Sequence, residues 1–253
     1  LNATAALVAR ALTTIKARGL LTRDFLEVLP NNEDGLDNFY RPLQDQIIAV
    51  MQTQPLVPTH AGGHARATQL MRSLQDIRQV ITDQEMPFFT GKQNGKWATG
   101  VLKNSRSDRF LQSLDIRSWE WDDLIAAVNQ RFRTGNEQDT SVQWLAQQPD
   151  EWMHRWYGLL HQARQWGKAS WQLQSCPFVR TQKDEHRKGT EVYFPTETTG
   201  TLTDSLPRVK HGVLYGSDKD RTERVRELLE KAGVRTVGEQ EEIQSLLHAY
   251  YAG

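Results

Sequence analysis

Apolar residues recur along this chain mainly at helical spacing. Ala6, Leu7, Ala11, Leu12 and Ile15 fall on one side of a helix, and Gly19 follows as a stop signal. A short helix over "TRDFLEVL" starts at Thr22, a good N-cap residue type, and ends before Pro30. After a turn at "NNEDG", a longer helix from Asp37 lines up Phe39, Tyr40, Leu43, Ile47 and Val50, with Pro42 tolerable in its first turns. Further helices are predicted at "SLQDIRQVI", "SDRFLQSL", "WDDLIAAVNQRF", "DRTERVRELLEKAG" and "EQEEIQSLLHAYY". Short β-like runs interrupt them at "LVPT", "CPFVRT" and "EVYFP", and "FFTGKQNGKWATGV" reads as a Gly-rich loop feeding a short strand. The loose stretch "RTGNEQDTS" is the best internal boundary.

Residues 141–171 hold five of the eight tryptophans. Trp152, Trp156, Leu159, Ala163 and Trp166 follow the helical rule and are expected on one face. Such a stripe is more often a core anchor than a ligand platform.

Three landmarks occur twice in the same order. "FYRPL" at Phe39 returns as "WYGLL" at Trp156, "PLVPT" at Pro55 as "PFVRT" at Pro177, and "FLQSLDIR" at Phe110 as "LLEKAGVR" at Leu228. Beyond them, Ile125, Val128 and Phe132 align with Ile243, Leu246 and Tyr250. The shared order indicates an internal duplication. The fold expected is helix-rich α+β, two degenerate copies of a helix, a strand hairpin and a helix pair. The frame is leading helices over 1–36, a first unit over 37–132, a linker over 133–149 and a second unit over 150–253. Gly233 suits the left-handed position that ends a helix, and Asp115 stands in the same place in the first copy.

The duplication also decides the segment "THAGGH". His60 and His64 flank a Gly-Gly pair that could mark a metal site, a phosphate-cradling loop or a turn. In the second copy "HAGG" is replaced by "QKDE", and His60 has only Gln182 as counterpart. A hairpin turn fits both copies.

Composition narrows the function classes. The 253 residues hold 31 Lys+Arg and 31 Asp+Glu, so the chain lacks the basic excess usual in nucleic-acid binders. The single cysteine, Cys176, excludes a disulfide framework and reads as a small buried thiol in a reducing compartment. No apolar run is long enough to span a membrane. The first residues, without an initiator Met, read as a helix entered in mid-chain, which implies a fragment of a longer protein.

Chemistry is sparse. His154 and His161 lie on one helical side without a third metal ligand, and no P-loop, dinucleotide fingerprint or nucleophile elbow occurs. The run "KDEHRK" (183–188) with "RVKH" (208–211) is the best hydrolase candidate, although a charged hairpin tip explains the run. Arg180, Arg187, Lys188, Arg208 and Lys210 are the nucleic-acid candidates. No catalytic, cofactor-binding or metal-ligating residue is assigned.

Taken together, "GLLTRDFLEVLPN", "FYRPL", "PLVPT", "FLQSLDIR", "CPFVRT", "EVYFP" and "LLEKAGVR" resemble a region of very large sacsin-like and NO VEIN-like proteins. The resemblance covers about Gly19 to Tyr251. Members carry an N-terminal GHKL-type ATPase domain, similar to that of the ninety-kilodalton heat-shock chaperone, followed by repeated α/β segments. The ATPase's own motifs are missing here, so no family residue carries over. The resemblance implies a cytoplasmic, non-catalytic scaffold or client-binding region of a chaperone-like or defence-related ATPase. Its partners would be other domains of the parent chain and protein clients.

Overall fold

The amphipathic stretch at the start of the chain folds as α1 (Ala5–Ala17), capped by Thr4, which accepts a hydrogen bond from Leu7 N. The computed structural model describes residues 4–29, 40–132, 140–195 and 206–238. The buried face of α1 runs through Val8 and Leu12, whereas Leu7 is half exposed, so the stripe is rotated from the one expected. Gly19 ends this element at φ +70°. α2 (Arg23–Glu27) follows Thr22, which sits at the N-cap position without a side-chain capping bond. α3 (Arg41–Thr53) carries Pro42 in its first turn, buries Ile47, Val50 and Met51, and packs on α1.

After α3 come an antiparallel hairpin and a small parallel sheet. β1 (Val57–Pro58) pairs with β2 (His64–Ala65). A 3-10 turn, Ala67–Gln69, leads into β3 (Leu70–Ser73). Two short helices follow, α4 (Gln75–Val80) and α5 (Met86–Thr90), the latter where a loop was expected. Gly91, at φ +70°, closes α5. β4 (Lys96–Trp97), α6 (Arg106–Ser113) and β5 (Ser118–Trp119) complete the unit. β3 lies between β4 and β5 and runs parallel to both.

The second unit again opens on three helices: α7 (Trp121–Arg131), α8 (Thr140–Ala146) and α9 (Asp150–Trp166). The hairpin β6 (Val179–Arg180) with β7 (His186–Arg187) comes next, then α10 (His211–Leu214) and α11 (Lys219–Lys231). The chain is thus a helix-rich α+β protein built from two versions of one plan. Its compact units are Leu1–Glu120 and Trp121–Gly253. The division falls between Glu120 and Trp121 instead of within 133–149. The reason is the packing of α7, whose Leu124, Ile125 and Val128 are buried and which lies on α9. Phe132, just beyond α7, sets its ring 6.2 Å from that of Trp156. α7 therefore opens the second unit rather than closing the first.

The duplication is written in backbone hydrogen bonds. Thr59 N donates to Gly63 O, and Thr181 N donates to Glu185 O. Ala98 N donates to Met71 O, as Val209 N does to Tyr193 O. Thr99 N donates to Pro58 O, as Lys210 N does to Arg180 O. The 3-10 turn recurs as Gly189–Glu191. In the second unit the parallel sheet shrinks to single bridges from Tyr193 to Arg208 and to Arg235. The "DIR" and "GVR" motifs gain a physical meaning here. Asp115 (φ +59°) and Gly233 (φ +99°) turn the chain out of a helix, and Arg117 O and Arg235 O then accept from Arg72 N and Phe194 N. Phe39, the pairing of Ile243, Leu246 and Tyr250, and the helix over "EQEEIQSLLHAYY" lie outside the described residues.

α9 is the core of the second unit. Trp152, Trp156, Leu159 and Ala163 are buried on it, and α7, α10 and α11 pack around it. Trp152 stacks on Trp156 at 5.7 Å, and Trp144 meets Trp152 edge-on at 5.5 Å. Trp166, expected on the same stripe, is 64% exposed because it occupies the last turn, beyond the packed length of the helix. Cys176 is buried, and burial raises its thiol pKa. None of the described helices is long and apolar enough to cross a membrane.

Candidate functional site

The hairpin tips hold most of the charged residues singled out in the sequence. "THAGGH" is a turn, with Gly62 and Gly63 at φ +91° and +81° and the Thr59 hydroxyl donating to Gly62 O at 2.5 Å. Asp184 takes the place of Gly62 in the second copy, also left-handed at φ +61°. His64 Nε2 donates to Leu21 O at 2.7 Å, so this imidazole is a structural tie. His60 is exposed on the other side of the turn.

In the second unit several of the hydrolase and nucleic-acid candidates, Arg180, Asp184, Glu185, Arg187 and Lys210, are held in ion pairs. Arg180 is buried: Nη1 donates to Gln148 O (2.6 Å) and Asp150 Oδ1 (3.0 Å), and Nη2 donates to Ala146 O (2.7 Å). Lys210 Nζ lies 3.1 Å from Asp150 Oδ2 and 2.6 Å from Asp184 Oδ1. The Lys210 hydrogen bond lowers the Asp184 pKa, and the same bond raises that of Lys210. Arg187 pairs with Glu185 at 2.8 Å. Two cations facing two carboxylates form a closed network. It ties the hairpin to the start of α9 and to the residue before α10.

The histidines do not converge either. His154 Nδ1 donates to Val213 O (3.1 Å), and His161 Nε2 sits 2.9 Å from Glu227 Oε2. His186 is buried with no partner on either ring nitrogen, and burial lowers its pKa to about 4, with Arg180 adding to the shift. Among the described residues no group of three or more His, Cys, Asp or Glu is placed to hold a metal ion.

The first unit contains what the sequence did not point to, a cavity of about 680 Å³ with several charged residues in its lining. It opens at the carboxyl ends of the three parallel strands. Its wall includes Ser73 at the end of β3 and Leu74 after it, Thr99 and Gly100 after β4, and Glu120 after β5. The chain leaves β3 to form β4 on one side and returns to add β5 on the other. In open parallel sheets, ligands bind in the crevice where successive connections diverge in this way.

Charge in this cavity is unevenly satisfied. Arg72, on β3, donates from Nη1 to Asp108 (2.5 Å) and from Nε to Ile116 O (2.9 Å). Asp108 also accepts from Asn104 N and Gln112 Nε2, which fixes it as a strut between β3 and α6. Lys103 pairs with Glu120 at 3.0 Å. Arg78, on α4, is different. It is 6% exposed, its Nε is sealed from solvent without a partner, and its guanidinium has no hydrogen bond or ion pair among the described residues. Burial holds its pKa below the ordinary value. Burial first, and then the Arg78 charge, lowers the pKa of His60, which lines the same cavity. Gly100 makes room for this guanidinium, since a Cβ there would stand 2.6 Å from Nη2.

In the sequence, "SLQDIRQVI" carries Arg78 as one of its charges on a short helix, with nothing local to set it apart. What distinguishes it is that no described carboxylate pairs with it in three dimensions. No family model matches this chain, and searches of curated proteins and of solved structures likewise returned no match.

Proposed function

We propose that this chain is a non-catalytic scaffold and partner-binding region of a larger, cytoplasmic, sacsin-like ATPase. The closed network of Arg180, Asp150, Asp184 and Lys210 carries this reading. The carboxylates and cations best suited to hydrolysis or nucleic-acid contact are committed to one another, so they hold a hairpin in place instead of meeting a substrate. The duplicated landmarks and the buried Trp helix support the same view, because repeated units with solid cores are how scaffolds extend a binding surface. Partners would be neighbouring domains of the parent chain and protein clients.

The test is incubation of the chain with single- and double-stranded DNA in the presence of magnesium or manganese. The expected outcome is intact DNA and no salt-sensitive retention. Metal-dependent cleavage that disappears in Asp184→Asn would replace the scaffold reading with a nuclease.

A further inference from the structure

The first unit contains a buried positive charge that no described residue answers. Taking a guanidinium out of water is costly unless a carboxylate or a set of carbonyl oxygens compensates it. Arg180 shows what compensation looks like here, with two carbonyls and a carboxylate on its terminal nitrogens. Arg78 is buried to the same degree and has none of these. Its fork lies beside Gly100 in the cavity wall, where a side chain at residue 100 would displace it.

The surroundings specify the sign and size of what is missing. Arg23, Arg72, Arg78 and Lys103 line the cavity with Asp108 and Glu120, and Arg23, Arg72 and Lys103 pair with Asp24, Asp108 and Glu120. That leaves the single Arg78 charge without a counter-charge among the described residues. About 680 Å³ falls within the usual range of small-molecule sites and far exceeds the volume of a lone ion. The position at the carboxyl ends of three parallel strands, where the connections diverge, is an independent reason to expect a ligand there. A planar guanidinium on a rigid wall is suited to the paired oxygens of a phosphate.

We propose that the cavity beneath Arg78 binds a small phosphate monoester, with the dianionic phosphate seated on the Arg78 guanidinium and the rest of the molecule in the space toward Lys103. This deepens the scaffold reading by giving the first unit a small-molecule site. It rests on that reading only in requiring binding without turnover. In the second unit Arg180, the buried arginine of its hairpin, is already paired.

Titration calorimetry and thermal melts with glycerol 3-phosphate, inorganic phosphate and succinate test it on the whole chain. Glycerol 3-phosphate should bind saturably and raise the melting temperature, with inorganic phosphate weaker and succinate at least tenfold weaker. Arg78→Gln should weaken glycerol 3-phosphate at least tenfold while leaving the ligand-free melt unchanged or higher, because it removes an unanswered buried charge. Gly100→Ala, which pushes the fork aside, should also weaken binding. Absence of saturable binding to either phosphate compound would overturn the proposal, whatever the variants do. Equal binding by Arg78→Gln would overturn it too, as would succinate binding as tightly as glycerol 3-phosphate. A lower ligand-free melt for Arg78→Gln would mark Arg78 as a structural residue and count against the site. DNA cleavage would defeat the scaffold reading without touching these binding results, so the two failures are distinguishable.

Discussion

The two units solve the same backbone problem and treat a buried arginine in opposite ways. Both close a hairpin through a left-handed residue, both turn through a short 3-10 segment, and both leave a helix through Asp115 or Gly233 into a parallel pairing. On that shared frame the second unit surrounds Arg180 with acceptors, while the first leaves the buried Arg78 guanidinium without one among the described residues. Backbone repetition therefore says little about where chemistry sits. Position follows the frame, whereas function follows which charges remain unanswered.

Removing the anchor of the second unit should break the comparison most strongly. Trp156→Ala deletes a fully buried ring packed against Phe132, Trp152 and Phe178, and a loss of about 3–5 kcal/mol is expected. Chemical denaturation should show that loss. An unshifted transition would move α9 from the core to an interaction surface.

The paired arginine sharpens the contrast next. Arg180→Gln leaves Asp150 facing Lys210 alone and strips two carbonyls of their donor, so a loss of about 3 kcal/mol is expected. Arg78→Gln should show none. Equal losses in the two variants, measured by denaturant midpoints, would erase the difference between the units.

His186, in the hairpin position that His64 holds in the first unit, should make the second unit sensitive to acid. His186 has a folded pKa of about 4 against about 6.5 unfolded, so the unfolded chain binds the proton more readily between those values. Stability should be complete above about pH 6.5 and fall as the pH drops toward 4, by about 2 kcal/mol at pH 5. His186→Leu should flatten that part of the pH–stability curve. If the curve keeps its slope in His186→Leu, another group is responsible.

The smallest effect concerns the two helix exits. Asp115→Gly gives the first unit the residue that the second already uses at φ +99°, and a gain of about 0.5 kcal/mol is expected. Thermal melts should rise slightly, and a fall would mean that the Gln52 contact to Asp115 at 3.1 Å outweighs the backbone strain.

Legibility in the sequence tracked the range of the forces involved. Helices were visible because their apolar spacing is local, and the hairpin was visible because a Gly-Gly pair and its "QKDE" counterpart share one turn. Asp115 and Gly233 were legible as helix exits for the same reason. The place of α7 was not, since "WDDLIAAVNQRF" has the same apolar face whichever neighbour covers it. Trp166 obeyed the spacing rule and still emerged into solvent, because periodicity does not say how far along a helix the packing extends. The cavity was hidden most deeply. Its wall comes from the ends of three strands, two of them only two residues long, and Arg78 stands out only through the carboxylate it lacks.

The parallel pairings of β3 also carry a kinetic consequence. Leu70 meets Lys96, and Arg72 meets Ser118, only after intervening helices have been folded back. The hairpin, by contrast, joins Val57 to Ala65 across a short turn. Closing long loops costs entropy before any contact rewards it, so these pairings should form late and reopen early. Amide protons of Arg72 and Ala98, whose acceptors lie across the parallel sheet, should then exchange with solvent sooner than those inside α3. The ends of these strands form the cavity mouth, so the cavity would open and close on the timescale of local unfolding.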